Sequence, residues 1–171
     1  MNQTEFLKIV LPFKDKVYRL AKRLLVSSDE AEDATQELYF KLWKNKEKIT
    51  NYDNVEAYAM MMIKNYCLDQ LKSKRASNLT LIHSNYKDDS SELQKDIEFK
   101  DSASIIKKMM EDLPEKQRMI VQLRDVENYE YHEIEKIMNM QPTNIRVALS
   151  RARKTLRINF LKQQNYGISQ N

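Results

Sequence analysis

A chain of 171 residues has room for one ordinary domain or two small ones, and its 42% apolar and 32% charged residues suit a folded protein. With one glycine and three prolines it leaves little for Gly-rich phosphate loops, dinucleotide-binding turns or tight β-hairpins, which need positive φ or close backbone approach, so the expected fold class is all-α. The net charge of +4 is unevenly spread, +3 over residues 1–75, −3 over 76–104 and +4 over 105–171, and no acid follows Glu135.

In chain order, Phe13, Val17, Leu20, Ala21, Leu24 and Leu25 recur at helical spacing from Pro12 to Val26. Ser27 and Glu30 then fit a capping box, which opens a second helix over Asp29–Lys44 with Ala31, Ala34, Leu38 and Leu42 as its apolar stripe. Asn45–Asn54 is polar and reads as a loop. Asp53, three residues before Glu56, is the expected cap of a third helix reaching about Arg75, with Val55, Ala59, Met62, Tyr66 and Leu71 on its inner face. Three amphipathic helices sharing one core make a first domain over 1–75. Residues 76–104 lose the periodicity and carry six serines and an acidic excess, which reads as a flexible acidic linker in which Leu93, Ile97 and Phe99 fit a short helical turn.

Periodicity returns in a second domain, 105–171, at Ile105, Ile106, Met109, Met110 and Leu113, until Pro114 breaks the helix. A helix through Ile120, Val121 and Leu123 follows, then a loop at Asp125–Tyr129 and a short helix with Tyr131, Ile134, Ile137 and Met138. After a break at Asn139–Gln141, Pro142 suits the first position of a long basic helix to about Leu161. Short helix, three-residue break and longer helix is the helix-turn-helix layout, whose second helix enters the DNA major groove. Asn139 is the best non-glycine residue for the left-handed turn. Ile145, Leu149, Ala152 and Leu156 form the buried stripe, and Arg146, Ser150, Arg153 and Arg157 run beside it at the same spacing. Thr143, Asn144, Arg146 and Val147 occupy the helix start, from which side chains reach base edges; Arg151 adds a further cation. The competing reading is a solvated basic face on a packing helix. The lack of any balancing acid favours DNA.

The stretch LPEKQRMIVQLRDVENYEYHEIEKIMNMQPTNIRVALSRARKTLR, Leu113–Arg157, resembles the promoter-reading carboxy-terminal domain of extracytoplasmic-function sigma factors, members of the sigma-70 family. VYRLAKRLLVSSDEAEDATQELYFKLWKN (Val17–Asn45) and AYAMMMIKNYCLDQLKSKR (Ala57–Arg75) resemble their amino-terminal domain. Asn139 stands where the family commonly has glycine, Gln141 where a better cap is usual, and Arg146, Val147 and Ala148 where a Lys-Ser-Arg run is frequent.

The resemblance implies that the chain binds core RNA polymerase and promoter DNA and directs transcription initiation. It places the polymerase contact on the second helix, at Glu32, Asp33, Gln36, Glu37 and Phe40; from the residues alone that face reads as solvated, its first-turn acids complementing the helix dipole. It places recognition and melting of the −10 element at Asn45, Asn51, Tyr52, Asp53, Asn54 and Tyr58, where polar groups read a flipped base and a tyrosine stacks on it. Lys64 and Lys72, with Lys44, Lys46, Lys48, Lys74 and Arg75, would hold phosphates. It places −35 recognition at Thr143, Asn144, Arg146, Val147, Ser150, Arg151, Arg153 and Arg157. It also implies an anti-sigma factor, often membrane-anchored, as a restraining partner. The linker is either a threaded mimic of an anionic strand or an inert tether.

No catalytic constellation, metal site, cofactor or small-molecule substrate is expected. His83 and His132 lie far apart, and Cys67, the single cysteine, reads as a small core residue. Trp43 and the run Met60-Met61-Met62 read as core. The start MNQTEFLKIVLPFKDK lacks the apolar core of a signal peptide, and no run approaches the ~20 apolar residues of a membrane helix, so the expected location is cytoplasmic. The alternative function is a stand-alone helix-turn-helix regulator acting as a dimer on palindromic sites.

Overall fold

The computed structural model describes residues 1–81 and 102–168, and among them there are helices and no strands. The chain opens with a helix that periodicity alone did not reveal, α1 (Gln3–Val10). Asn2 caps it: its side chain accepts the Glu5 backbone N–H, and the Glu5 carboxylate returns to the Asn2 N–H. A 3-10 turn at Leu11–Phe13 contains Pro12, so α2 begins two residues later than expected, at Lys14, and ends at Leu25. α3 (Ser28–Lys44) starts on Ser27, whose hydroxyl accepts the Glu30 N–H. Glu30 does not reach back to complete the capping box and pairs instead with Lys74.

The expected loop at Asn45–Asn54 contains a helical turn, α4 (Lys46–Ile49). It forms because Ile49 is a fully buried apolar anchor. α5 (Val55–Leu81) is capped by Asn54, whose Oδ1 accepts the Ala57 N–H at 2.8 Å, and not by Asp53. Its core stripe is Ala59, Met60, Ile63 and Cys67, rotated from the expected one. Val55, Met62, Tyr66 and Leu71 pack at its margin, half-buried. α5 also runs six residues beyond Arg75; the turn suggested at Leu93, Ile97 and Phe99, and His83, lie outside the described residues. α2, α3 and α5 pack on one another, with α1 closing one end through Phe6, which meets the Trp43 ring edge-on at 5.1 Å. Trp43 is half-buried against the core.

The second group is α6 (Ser102–Glu111), α7 (Glu115–Val121), α8 (Tyr131–Met138) and α9 (Pro142–Ile168). The Arg118 guanidinium donates to the carbonyls of Glu111 and Leu113 at 2.8 and 2.9 Å, satisfying acceptors that the end of α6 leaves open. The expected loop after α7 is in part a π-helical turn, Gln122–Val126, closed by Glu127 N–H donating to the Gln122 carbonyl at 3.0 Å. Asn128 then takes a left-handed conformation (φ 61°), and Glu127 and Tyr129 on either side of it are buried. Asn139 ends α8 at φ 50°, ψ 51°, the left-handed turn expected of it. Pro142 is the first residue of α9, which continues past Leu161, and Ile145, Leu149 and Ala152 are buried against α7 and α8.

The two groups do not sit apart like beads on a tether. α7 packs on α2 and α8 on α5, and the buried apolar side chains form one connected cluster from Phe6 to Ala152.

Candidate functional site

The basic face of α9 arises from the helical period. With Ile145, Leu149 and Ala152 buried, the residues one step round the helix face water, apart from the half-buried Ala148. Thr143, Asn144, Arg146, Val147, Ser150, Arg151, Arg153 and Arg157 are all exposed. Five of the residues on and beside this face, Arg146, Leu149, Ser150, Arg153 and Arg157, line a shallow hollow of about 430 Å³ together with Lys154 and Tyr131. The Arg146 guanidinium lies 5.1 Å from the centre of the Tyr131 ring, and Arg124 rests 4.9 Å from the same ring. Arg153 is held by Asp125 through two hydrogen bonds of 3.0 and 2.5 Å, which fix its direction at one edge of the hollow. Tyr131 and Lys154 were missed as site residues. Lys154 was visible in the basic run, but Tyr131 lies on the preceding helix and no periodicity within α9 points to it.

On α3, Glu32, Asp33 and Gln36 are exposed. Glu37 pairs with Lys41 at 3.2 Å, one helical turn on. Phe40 is 62% exposed, a large apolar side chain with no core to fill. The three exposed polar residues and Phe40 therefore share a solvent-facing surface, as expected from the stripe of Ala31, Ala34, Leu38 and Leu42 opposite.

The segment between α3 and α5 sorts its residues by task. Asn45 caps α3, its side-chain amide donating to the Lys41 carbonyl at 2.9 Å. Asn51, Tyr52 and Asp53 are exposed. Tyr52 and Tyr58 stack on each other, ring centres 4.1 Å apart and planes 17° from parallel. The adjacent Tyr52 hydroxyl, ahead of partial burial, raises the Tyr58 pKa above the usual phenol value. Beside this stack is a hollow of about 220 Å³ lined by Asp53, Asn54, Ala57 and Met61, and by Lys136 from α8.

Lys72 is exposed, as are Lys44 and Lys48. Lys64 is a correction: it is buried at 8% exposure, and desolvation pushes its ammonium pKa down. α5 is rotated so that its Ile63 and Cys67 face inward, and Lys64 is carried in beside them. Lys46 lies over the Trp43 ring at 3.9 Å, and Arg75 reaches Glu115 at 3.5 Å. Cys67 is fully buried, and burial pushes its thiol pKa up to about 12, as suits an inert core residue. His132 is exposed. Among the described residues there is no group of three or more His, Cys, Asp or Glu arranged to hold a metal, and no helix is long and apolar enough to cross a membrane.

Comparison with known proteins follows the same division. Residues 9–77 match the model of sigma-70 region 2, and residues 103–156 match that of sigma-70 region 4. The chain is 24% identical over 167 residues to the ECF RNA polymerase sigma factor SigW of Bacillus subtilis (strain 168), covering 91% of this chain and 89% of that protein. Its fold is similar to that of the sigma factor RpoE from Bartonella quintana, solved in complex with the anti-sigma factor NepR. That match has a TM-score of 0.75 and 20% identity, and covers 92% of this chain and 97% of the other. It is similar also to CnrH, solved with the cytosolic domain of CnrY (TM-score 0.65, 15% identity, 93% and 89% covered). With regions 2 and 4 in order on one all-helical chain, a polar face on α3 and an acid-free basic face on α9, the protein belongs to the sigma-70 family, with the layout of an extracytoplasmic-function sigma factor: a transcription-initiation factor and not an enzyme.

Proposed function

We propose that this chain contacts core RNA polymerase and two elements of promoter DNA through three surfaces. Glu32, Asp33, Gln36, Glu37 and Phe40 on α3 dock on core RNA polymerase, with Phe40 as the apolar anchor. Asn45, Asn51, Tyr52, Asp53, Asn54 and Tyr58 read and hold the −10 element as it opens, with Lys72 on the backbone and Lys64 outside that set as long as it stays buried. A base leaving the duplex needs a flat apolar surface and a few hydrogen-bonding groups, and the exposed ring of Tyr52 beside Asp53 and Asn54 offers both. Thr143, Asn144, Arg146, Val147, Ser150, Arg151, Arg153 and Arg157 dock α9 in the major groove of the −35 element, the guanidinium groups dividing between guanine edges and phosphates.

The observation that carries this reading is the face of α9: eight exposed side chains on one helix, beside a hollow lined by four cations, of which Arg153 alone is paired with a carboxylate, that of Asp125. The domains are 1–75 and 105–171, joined by the acidic stretch 76–104. The protein works in the cytoplasm and is restrained by an anti-sigma factor, as the relatives solved with NepR and CnrY are paired with theirs. A stand-alone dimeric regulator is not favoured, because it leaves the whole region 2 half without a task.

Size-exclusion chromatography with purified core RNA polymerase tests the proposal. The chain should co-migrate at one copy per enzyme. Gln36→Ala combined with Glu37→Ala should weaken that complex by about tenfold, the scale of one or two lost charge-assisted contacts. Binding of a −35 duplex by the variant should stay unchanged. Equal polymerase affinity in the variant would remove α3 from the docking surface.

A further inference from the structure

Among the cations that line the hollow on α9, Arg153 stands in a different electrostatic setting from the rest. Its Nε–H and one Nη2–H donate to the two carboxylate oxygens of Asp125 at 3.0 and 2.5 Å, a side-on fork contact. Asp125 lies outside the helix-turn-helix, in the π-helical turn Gln122–Val126. Two backbone contacts pin that turn. The Glu127 N–H donates to the Gln122 carbonyl at 3.0 Å, and the Tyr129 N–H to the Leu123 carbonyl at 2.9 Å. Arg124, beside Asp125, donates to the Tyr129 carbonyl at 2.7 Å and pairs with Glu130 at 3.3 Å. Gln122 and Leu123 are buried, so the turn is anchored from beneath while Asp125 reaches across to α9. The two paired side chains are only partly shielded, Arg153 being 53% exposed and Asp125 32%. A bidentate contact from an anchored turn is the geometry in which such a pair persists.

Charge and direction both separate Arg153 from its neighbours. Arg146 rests on the neutral Tyr131 ring at 5.1 Å, so it keeps its full charge and is drawn to any phosphate. A phosphate approaching Arg153 meets the Asp125 carboxylate as well, and the repulsion between the two anions offsets part of the attraction. A guanine edge is neutral and brings no such repulsion. A guanidinium carries five N–H donors, and Asp125 takes two of them. The remaining three include the two parallel N–H groups of the outer edge, the pair that matches O6 and N7 of guanine.

We infer that Asp125 is a specificity-determining positioning residue, which screens Arg153 from the DNA backbone and aims its outer edge at a guanine of the −35 element. This rests on the −35 assignment proposed above for α9. The carboxylate has to come from outside the recognition helix, because no acid follows Glu135 in the chain. Arg153 thereby joins the base-reading share of the basic face, and its contribution to sequence-independent attraction is small.

Holoenzyme assembled from core RNA polymerase and the full chain tests this, by selection from a promoter pool randomised over the −35 segment. Sequencing the bound duplexes gives the base preference at each position. The wild type should prefer guanine at one position where Arg153→Ala abolishes the preference. Asp125→Ala should lower the preference there about tenfold and leave the other positions as they are. The same variant should bind a scrambled −35 segment more tightly, with the slope of log affinity against log salt steeper by about 0.9, one added phosphate contact. Asp125→Asn, which keeps the shape and loses the charge, should move both readouts the same way by a smaller factor. Circular dichroism of both variants should match the wild type, since Asp125 is exposed and fills no core position. Unchanged preference in Asp125→Ala, or a uniform weakening at every position, would reduce the pair to a staple between the turn and α9 and overturn the inference. A wild type without base preference anywhere in the −35 segment, and indifferent to Arg146→Ala, would instead remove the −35 assignment itself.

Discussion

Arg146 shows how much one residue of the recognition face depends on its neighbours. Its guanidinium rests over Tyr131 on the preceding helix, an orientation that leaves its planar edge free for two parallel hydrogen bonds. Arg146→Ala should weaken −35 binding by about 1–3 kcal/mol if it contacts a guanine in that way, and should flatten the ranking among duplexes substituted at one position. Competition anisotropy over such a panel measures both effects. Uniform weakening with the ranking intact would make Arg146 a phosphate contact. The exposed arginines of α9 were legible in the sequence because a helical period that buries Ile145, Leu149 and Ala152 must expose its neighbours. Lys64 was not legible, because its burial depends on a rotation of α5 that neighbouring helices impose.

The helix-turn-helix element depends on Asn139. In the left-handed conformation a Cβ costs about 1–2 kcal/mol, which asparagine partly offsets through its short polar side chain and glycine escapes entirely. Asn139→Ala should therefore lower stability by about 1 kcal/mol, and Asn139→Gly should be neutral or slightly stabilising. Urea unfolding curves of the two variants give the comparison directly. A matching loss in both would mean that the Asn139 side chain, rather than the backbone angle, is what the turn needs. The turn could be read from sequence because left-handed residues are few in kind. The capping of α5 was misplaced by one residue, since Asp53 and Asn54 are both good caps and only the path out of α4 selects Asn54. α1 was overlooked for a related reason: eight residues with two buried positions, Phe6 and Val10, give too little periodicity to stand out.

At the scale of the whole molecule, the buried phenols and thiol set an alkaline limit. Burial pushes Cys67 from its ordinary 9.0 to about 12, and burial with the Glu56 hydrogen bond pushes Tyr129 well above its ordinary 10.0; Tyr39 is raised by burial too. The folded chain thus holds these protons more tightly than the unfolded chain. Their contribution is complete below about pH 9 and is lost as pH rises further, at up to about 1.4 kcal/mol per pH unit for each group. Urea midpoints should be flat from pH 7 to 8.5 with respect to these groups and clearly lower at pH 10.5. Tyr129→Phe should reduce that slope. An unchanged slope in the variant would mean that Tyr129 is not sequestered in solution.

The all-helical class, the two helical halves, the helix-turn-helix and the basic face of α9 were all determined by the sequence alone. Each rests on local periodicity, charge sign or the backbone preferences of single residues, which a few turns of helix express without help. The tertiary structure alone decided the seam. Glu127 lies in a polar stretch where an acid would ordinarily stay in water, and it is buried only because Arg19, 108 positions away, arrives to neutralise it. Pairings across such a distance follow from how packed helices meet. No pattern within either segment encodes them, since Arg19 and Glu127 each fit a solvated surface equally well until the two surfaces touch.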